Sequence, residues 1–132
     1  MAKILVVEDN PANMKLAEFL LRKAGHEVLA AEDAPAGIAL ARAQLPDLVL
    51  MDVQLPGMDG LEATRALKSD PATRAVKVIA LTAFAMKGDE EKMRSAGCDG
   101  YIAKPFQYQE FLARIEAALR AAEEPRTGPG RA

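Results

Sequence analysis

The feature that most restricts the fold of this chain is a pair of short, wholly apolar runs. Residues 4–7 and 48–51 contain no polar side chain, which predicts strands buried on both faces, because a half-exposed strand would alternate with polar residues. Both runs end in carboxylates, Glu8 and Asp9 after the first and Asp52 after the second. Strands of this kind are typical of a parallel sheet that is covered by helices on its two sides.

Segments with a helical period separate the apolar runs. Asn10, Asp33 and Asp59 precede three of these segments as predicted N-caps. Strand and helix alternate five times, which predicts an α/β protein with a single-domain, flavodoxin-like (βα)5 fold and a doubly wound parallel sheet. The common order for five such strands is 2-1-3-4-5, which sets the first strand beside the third. The three remaining strands are predicted at residues 27–31, 76–81 and 100–103.

The same patterns make three local predictions. In the second helix, Ile38, Ala41 and Leu45 are predicted to face inward. The fourth helix, from about residue 87 to 95, has Met93 as its only large apolar side chain, so we expect it to be loosely packed. His26 follows a glycine that ends the first helix, and we expect it to lie in solvent.

Length and composition limit the classes of function. The 132 residues suit one domain, which we place at residues 1–122. Residues 123–132 are rich in Pro, Gly and Arg and are predicted to be a disordered tail or the start of a linker. A net charge of −2 with scattered Lys and Arg argues against direct binding to nucleic acid or to an anionic membrane. Because no apolar stretch suits a signal peptide or a membrane span, we expect a cytoplasmic protein.

Reactive side chains end several strands at one predicted edge of the sheet. Glu8, Asp9 and Asp52 would repel one another there, and a hard divalent cation such as Mg²⁺, or Mn²⁺ as a substitute, would relieve the repulsion. A metal-held carboxylate is also a nucleophile toward phosphorus. Thr82 ends the fourth strand and Lys104 follows the fifth, and both have the chemistry to bind the oxygens of a phosphoryl group.

Four motifs together resemble the receiver domain of bacterial two-component response regulators. They are Val-Glu-Asp-Asn at residues 7–10, Leu-Met-Asp-Val-Gln-Leu-Pro-Gly-Met-Asp-Gly at 50–60, Leu-Thr-Ala at 81–83 and Tyr-Ile-Ala-Lys-Pro-Phe at 101–106. The resemblance covers residues 3 to about 122 and is nearest to stand-alone receivers of the chemotaxis and cell-cycle type and to receivers attached to hybrid kinases. Glu8 stands where the family more often has Asp.

This resemblance implies a role for each residue at the edge. Asp52 would accept a phosphoryl group from a phosphohistidine on a sensor histidine kinase or a histidine phosphotransfer protein. Thr82 and Lys104 would bind the phosphoryl oxygens, and the peptide bond between Lys104 and Pro105 resembles a cis bond of the family. The ligands of Mg²⁺ would be Glu8, Asp9, Asp52 and the backbone carbonyl of Gln54.

The resemblance also implies how the signal leaves the domain. Thr82 and Tyr101 would form a switch that changes the face made by the fourth helix, the fifth strand and the fifth helix, where a downstream protein would bind. Gln54 and Phe84 would tune hydrolysis, with Phe84 shielding the phosphoryl group from water. Chemistry of the chain's own would then be limited to its self-phosphorylation and self-dephosphorylation, so we do not expect a turnover enzyme.

Three other functions compete with this interpretation. A phosphatase of the haloacid dehalogenase type also uses an Asp nucleophile with Mg²⁺, but generally has a second Asp where this chain has Gln54. A flavodoxin-like cofactor carrier would bind phosphate at its first loop, where Glu8 and Asp9 would repel it. A receiver scaffold that works without phosphorylation would not need Asp9, Asp52, Thr82 and Lys104 to be intact.

Overall fold

A computed structural model describes residues 2–83, 87–104 and 107–123, apart from the side chains of Lys87, Ala122 and Glu123. Strand and helix alternate as predicted. Among these residues, no helix has both the length and the apolar character needed to cross a bilayer. The strands are β1 (Lys3–Val7), β2 (Glu27–Ala31), β3 (Leu48–Asp52), β4 (Lys77–Thr82) and β5 (Gly100–Ala103), and the helices are α1 (Pro11–Lys23), α2 (Ala34–Gln44), α3 (Gly60–Ser69), α4 (Lys87–Ala96) and α5 (Tyr108–Glu123).

The five strands form one parallel sheet in the order β2-β1-β3-β4-β5, which confirms the predicted topology. β1 lies beside β3 with Val7 opposite Met51, and β3 lies beside β4 with Asp52 opposite Leu81. Because all neighbours are parallel, the carboxyl ends of the strands meet at one edge of the sheet.

The sheet separates two apolar layers. All five residues of β3 are buried, as its uninterrupted apolar run predicted. Alternate side chains of the central strands point to opposite faces, since the side-chain period of a strand is two. On one face they pack with residues of α1 and α5, including Leu21, Phe111 and Ile115. On the other face they pack with residues of α2 and α3, including Ala41 and Leu67.

The three predicted N-caps are confirmed. The side chains of Asn10, Asp33 and Asp59 each accept a hydrogen bond from the backbone N–H three residues further on. Asp59 belongs to a capping box, because the Glu62 side chain accepts the Asp59 N–H in return. These caps start α1, α2 and α3 directly after the loops at the carboxyl edge of the sheet, and they fix where each loop ends.

The inward position predicted for Leu45 is wrong. α2 ends at Gln44, and Leu45 adopts a left-handed conformation with φ of 46° and is 56% exposed. A proline disfavours the helical conformation in the residue before it, so Pro46 turns Leu45 off the helix axis. The buried positions of α2 are Ala34, Gly37 and Ala41, and Ile38 is partly buried against the same layer.

The solvent position predicted for His26 is also wrong. Its side chain is 5% exposed. Nδ1 accepts the Ala2 N–H at 3.1 Å, and Nε2 lies 3.2 Å from Glu116 Oε2 in α5. Gly25, with φ of 94°, turns the chain back toward the sheet at the end of α1, and His26 then joins the start of β1 to α5.

Candidate functional site

The predicted site residues lie at the carboxyl edge of the sheet, around the boundary between β1 and β3. Glu8 follows β1, Asp52 is the last residue of β3 and Lys104 follows β5. β1 pairs with β2 on one side and β3 on the other, so the chain reverses its direction of winding here. Loops on either side of such a point leave a crevice, which is the usual ligand site of open α/β sheets.

Three carboxylates converge in this crevice. Glu8, Asp9 and Asp52 each offer an oxygen, and these atoms all lie within 4.8 Å of one another. Glu8 is 1% exposed and Asp52 is 3% exposed, whereas Asp9 is exposed. The site therefore has two acidic groups embedded in protein and one that solvent reaches.

Lys104 carries the neighbouring positive charge. Its Nζ lies 2.9 Å from Glu8 Oε1 and 3.1 Å from Asp52 Oδ2. Burial lowers the pKa of Lys104, but the attraction of the Glu8 and Asp52 carboxylates outweighs burial, and the pKa of Lys104 is raised overall. Lys104 is therefore a fixed cation bridging two carboxylates.

Backbone donors orient the two buried carboxylates. The Gln54 N–H donates to Asp52 Oδ1 at 3.0 Å, and the Asn10 N–H donates to Glu8 Oε2 at 3.1 Å. Burial first, and the adjacent Asp52 carboxyl second, raise the pKa of Glu8, although Lys104 and the Asn10 N–H oppose the change. The ionised form of Glu8 is therefore costly in the protein alone.

The carboxylate cluster fits a hard divalent cation. Glu8 Oε1 is buried and has no hydrogen bond from the described residues, since the nearby Lys104 ammonium is close in distance but not aligned as a donor. Oxygen ligands from two or three carboxylates are the donor set that Mg²⁺ takes in proteins. A cation here would neutralise the repulsion between the carboxylates, and Glu8 Oε1 would be one of its ligands.

The predicted switch residues lie on β4 and β5, the two strands that follow β3 in the sheet. Thr82 is buried at the end of β4, next to Leu81, which pairs with Asp52. Tyr101 of β5 is half-buried, and its hydroxyl donates to Glu90 of α4 at 2.8 Å. Phe84 and the peptide bond between Lys104 and Pro105 lie outside the described residues.

Sequence reasoning missed two features of this edge. Gly60 was named only as the last residue of the motif at 50–60, yet a Cβ at this position would lie 2.0 Å from the carbonyl oxygen of Asp52. Glu90 and Arg114 were not singled out, although both contact Tyr101. The short turn between β3 and α3 could have indicated a close backbone approach at Gly60. No local sequence pattern indicates the contacts of Tyr101, because Glu90 and Arg114 lie in two different helices, α4 and α5.

Comparisons with known proteins agree with this geometry. The family model of the response regulator receiver domain matches residues 4–116. The polar-differentiation response regulator DivK of Brucella anthropi is 47% identical over 116 residues, which are 88% of this chain and 94% of that protein.

Solved structures show the same fold with related sequences. One is the receiver domain of a sensor histidine kinase from Pseudomonas aeruginosa PAO1, with a magnesium ion coordinated in its active-site cleft. It is 39% identical with a TM-score of 0.84, covering 90% of this chain and 98% of that one. The chemotaxis protein CheY4 of Vibrio cholerae is 26% identical with a TM-score of 0.85, covering 89% and 98%. This chain therefore belongs to the response regulator receiver domain family.

Proposed function

We propose that Asp52 accepts a phosphoryl group from a phosphohistidine on a partner protein. The observation that carries this proposal is the surroundings of Asp52, whose buried carboxylate lies beside Glu8 and Asp9 with the Lys104 ammonium 3.1 Å away. Carboxylates in such sites act as nucleophiles toward phosphorus. The nearby cation matches the negative charge that spreads over the phosphoryl oxygens during transfer.

The transfer exchanges one bond for another. An Asp52 carboxylate oxygen attacks phosphorus and forms an O–P bond, while the P–N bond to the donor imidazole breaks. The imidazole nitrogen retains the electron pair of the broken bond and takes up a proton from solvent water. The Gln54 N–H donates to Asp52 Oδ1, and Lys104 Nζ donates to Asp52 Oδ2. Lys104 is therefore close enough to form an ion pair with the phosphoryl group once that group is attached to Asp52. We propose the Thr82 hydroxyl as a second donor to that group.

We propose that Glu8, Asp9, Asp52 and the backbone carbonyl of Gln54 hold Mg²⁺, with Mn²⁺ as a substitute. When bound, the ion supplies positive charge that offsets the repulsion between the carboxylates and the incoming phosphoryl group. Glu8 Oε1 supports this assignment, because it is buried and accepts no hydrogen bond from the described residues. So does the magnesium ion in the active-site cleft of the Pseudomonas receiver, which is 39% identical to this chain.

The chemistry proposed for this chain ends with its own phosphorylation and dephosphorylation. A phosphatase of the haloacid dehalogenase type would need a general acid two residues after Asp52, and this chain has an exposed Gln54 there. The family assignment does not favour that alternative. We propose that Gln54 and Phe84 instead tune the rate at which the aspartyl phosphate hydrolyses.

The signal is proposed to pass between proteins. The donor would be a sensor histidine kinase or a histidine phosphotransfer protein, and the receiver of the signal a protein that binds the face made by α4, β5 and α5. Thr82 and Tyr101 would couple that face to Asp52. Residues 1–122 would form the whole signalling domain, with residues 123–132 as a tail or the start of a linker.

Intact mass measured after incubation with Mg²⁺ and acetyl phosphate tests the central step. Wild type should gain one phosphoryl group, and Asp52→Asn should gain none. Asp33→Asn is the matched control, because Asp33 lies just past β2 at the same edge and Asn is an equally good N-cap. A wild type that gains no mass, or an Asp52→Asn variant that gains as much as wild type, would refute the proposal.

A further inference from the structure

Three elements converge on Tyr101 of β5. Its hydroxyl donates to Glu90 Oε2 of α4 at 2.8 Å. Arg114 of α5 stacks its guanidinium over the ring, 5.4 Å from the centroid, and Arg114 Nη1 donates to the Tyr101 carbonyl oxygen at 2.9 Å. Arg114 Nε also donates to Glu110 Oε2 at 3.2 Å, which limits where the guanidinium can lie. Both ends of the tyrosine are therefore held by charged side chains of the flanking helices.

Close packing does not hold the ring in this orientation. A cavity of about 200 Å³ lies beside the ring, lined by Met93, Arg94 and Cys98 as well as by Glu90 and Arg114. In a protein core the surrounding atoms leave a side chain one position, but here there is free volume on one side. The contacts with Glu90 and Arg114 therefore set the orientation of Tyr101.

Tyr101 and Thr82 lie on the same face of the sheet. Ala80 pairs with Tyr101, and Thr82 pairs with Ala103. Directly paired residues of parallel strands point to the same face, and so do residues two apart along one strand. The Thr82 hydroxyl and the Tyr101 ring are therefore neighbours on the diagonal, and a movement at Thr82 changes the space next to the ring.

From these contacts we infer that Glu90 and Arg114 form a clamp that holds Tyr101 turned outward, and that the clamp opposes the phosphorylated state of the domain. This inference rests on the proposed role of Asp52 and names how that site is restrained. Glu90 and Arg114 are positioning residues, since they act on the switch through Tyr101. Turning the ring inward breaks the hydrogen bond to Glu90 and the stacking on Arg114.

The effect of the clamp on the orientation of the ring can be measured. A hydrogen bond from Tyr101 to a partly exposed carboxylate shifts the ratio of outward to inward ring by about threefold to tenfold. Coupling between two sites is reciprocal. Removing the clamp should therefore strengthen the binding of a phosphoryl mimic at Asp52 by up to the factor by which it frees the ring.

Tyrosine NMR reads the ring orientation without any phosphoryl group. The chain has two tyrosines, so a Tyr108→Phe background with ¹³C-labelled tyrosine gives the Tyr101 ring alone. Mg²⁺ with beryllofluoride, a mimic of the phosphoryl group, marks the inward position of the signal. Glu90→Ala should move the signal of the untreated protein toward that position, and Glu90→Gln, which keeps an acceptor, should move it less. Glu91→Ala, which removes an exposed carboxylate one residue away, is the matched control.

Titration with beryllofluoride in the presence of Mg²⁺ and phosphorylation by acetyl phosphate complete the test. The apparent affinity of Glu90→Ala for beryllofluoride should be about threefold to tenfold higher than that of wild type, and an equal affinity refutes the claim that the clamp opposes phosphorylation. The clamp is refuted if the Tyr101 signal of Glu90→Ala stays at the wild-type position, or if Glu91→Ala moves it equally. A Tyr101 signal that does not shift when Mg²⁺ and beryllofluoride are added refutes the link to phosphorylation. If the ring signal moves in Glu90→Ala but no protein gains a phosphoryl group, the proposed role of Asp52 fails, and with it the claim that the clamp opposes phosphorylation.

Discussion

Gly60→Ala is expected to displace Asp52, the proposed phosphoacceptor, through the backbone alone. Gly60 is the first residue of α3, and the loop that precedes it returns directly onto β3. A Cβ at this position would lie 2.0 Å from the carbonyl oxygen of Asp52, 2.8 Å from its carbonyl carbon and 2.9 Å from Val53 Cα. All three are backbone atoms, so no rotation of a side chain can relieve the overlap.

The overlap requires a displacement of about 1 Å, because contacts of this kind below about 3 Å are not tolerated. The Val53 N–H holds one side by donating to Leu81 O at 2.9 Å. The Gly60 N–H holds the other by donating to Val53 O at 3.0 Å, and Thr64 Oγ1 donates to Gly60 O at 2.8 Å. Overpacking costs about 1–3 kcal/mol and a disturbed helix cap about 1 kcal/mol. The free energy of unfolding should fall by about 2–4 kcal/mol, which lowers Tm by about 10 °C.

Thermal denaturation and the rate of phosphorylation by acetyl phosphate measure the two consequences. A displacement of about 1 Å at a reacting group costs up to about 100-fold in rate, so the folded variant should also be phosphorylated more slowly. Gly88→Ala is the matched control, since a Cβ at this position of α4 meets no atom of the other described segments within 4 Å and alanine favours a helix. A Gly60→Ala protein with Tm within about 2 °C of wild type and an unchanged rate would refute the reasoning.

Two further predictions concern the metal site and the lifetime of the phosphoryl group. The pKa of Glu8 is raised by burial and by Asp52, so its contribution to stability is present below its ordinary value of 4.5 and is lost as pH rises through the higher folded-state pKa. At pH 7 without metal, Glu8→Gln should therefore have a higher Tm than wild type, and its Tm should rise less on addition of Mg²⁺; an unchanged response to Mg²⁺ would argue against Glu8 as a ligand. Phe84→Ala should lose its phosphoryl group faster after acetyl phosphate is removed, because Phe84 is proposed to exclude water; intact mass followed over time measures this, and an unchanged or slower loss would count against the shielding role.

The residues at the carboxyl edge of the sheet could be predicted because each of them ends or directly follows a strand in the sequence. Asp52 lies where it was expected, since a short apolar run that ends in turn residues is typical of a central strand in a parallel sheet. Once β1 and β3 are neighbours, Glu8 must lie beside Asp52, and Lys104 reaches both because it follows β5 at the same edge. The positions of these three residues therefore follow from the hydrophobic pattern of the strands and the order of the strands in the sheet.

The features that were missed depend on contacts between distant segments. His26 is 90 residues from Glu116 along the chain, and nothing near His26 shows that α5 passes there. Leu45 has the right spacing to face inward, but Pro46 ends the helix first. Glu90 is interpreted locally as one more charge on a polar helix, and only the position of β5 makes it the partner of Tyr101.

The contact between Arg114 and the Tyr101 carbonyl also bears on self-association. β5 is an outermost strand, and the Lys104 N–H donates to Thr82 O. Backbone groups of successive residues point to opposite sides of a strand, so the carbonyl of Tyr101 faces away from β4. An unpaired row of this kind is a template on which another chain can add a strand, and aggregation begins at such places. Arg114 occupies this acceptor with a charged side chain, and we therefore expect it to hinder strand addition on the open side of this four-residue strand.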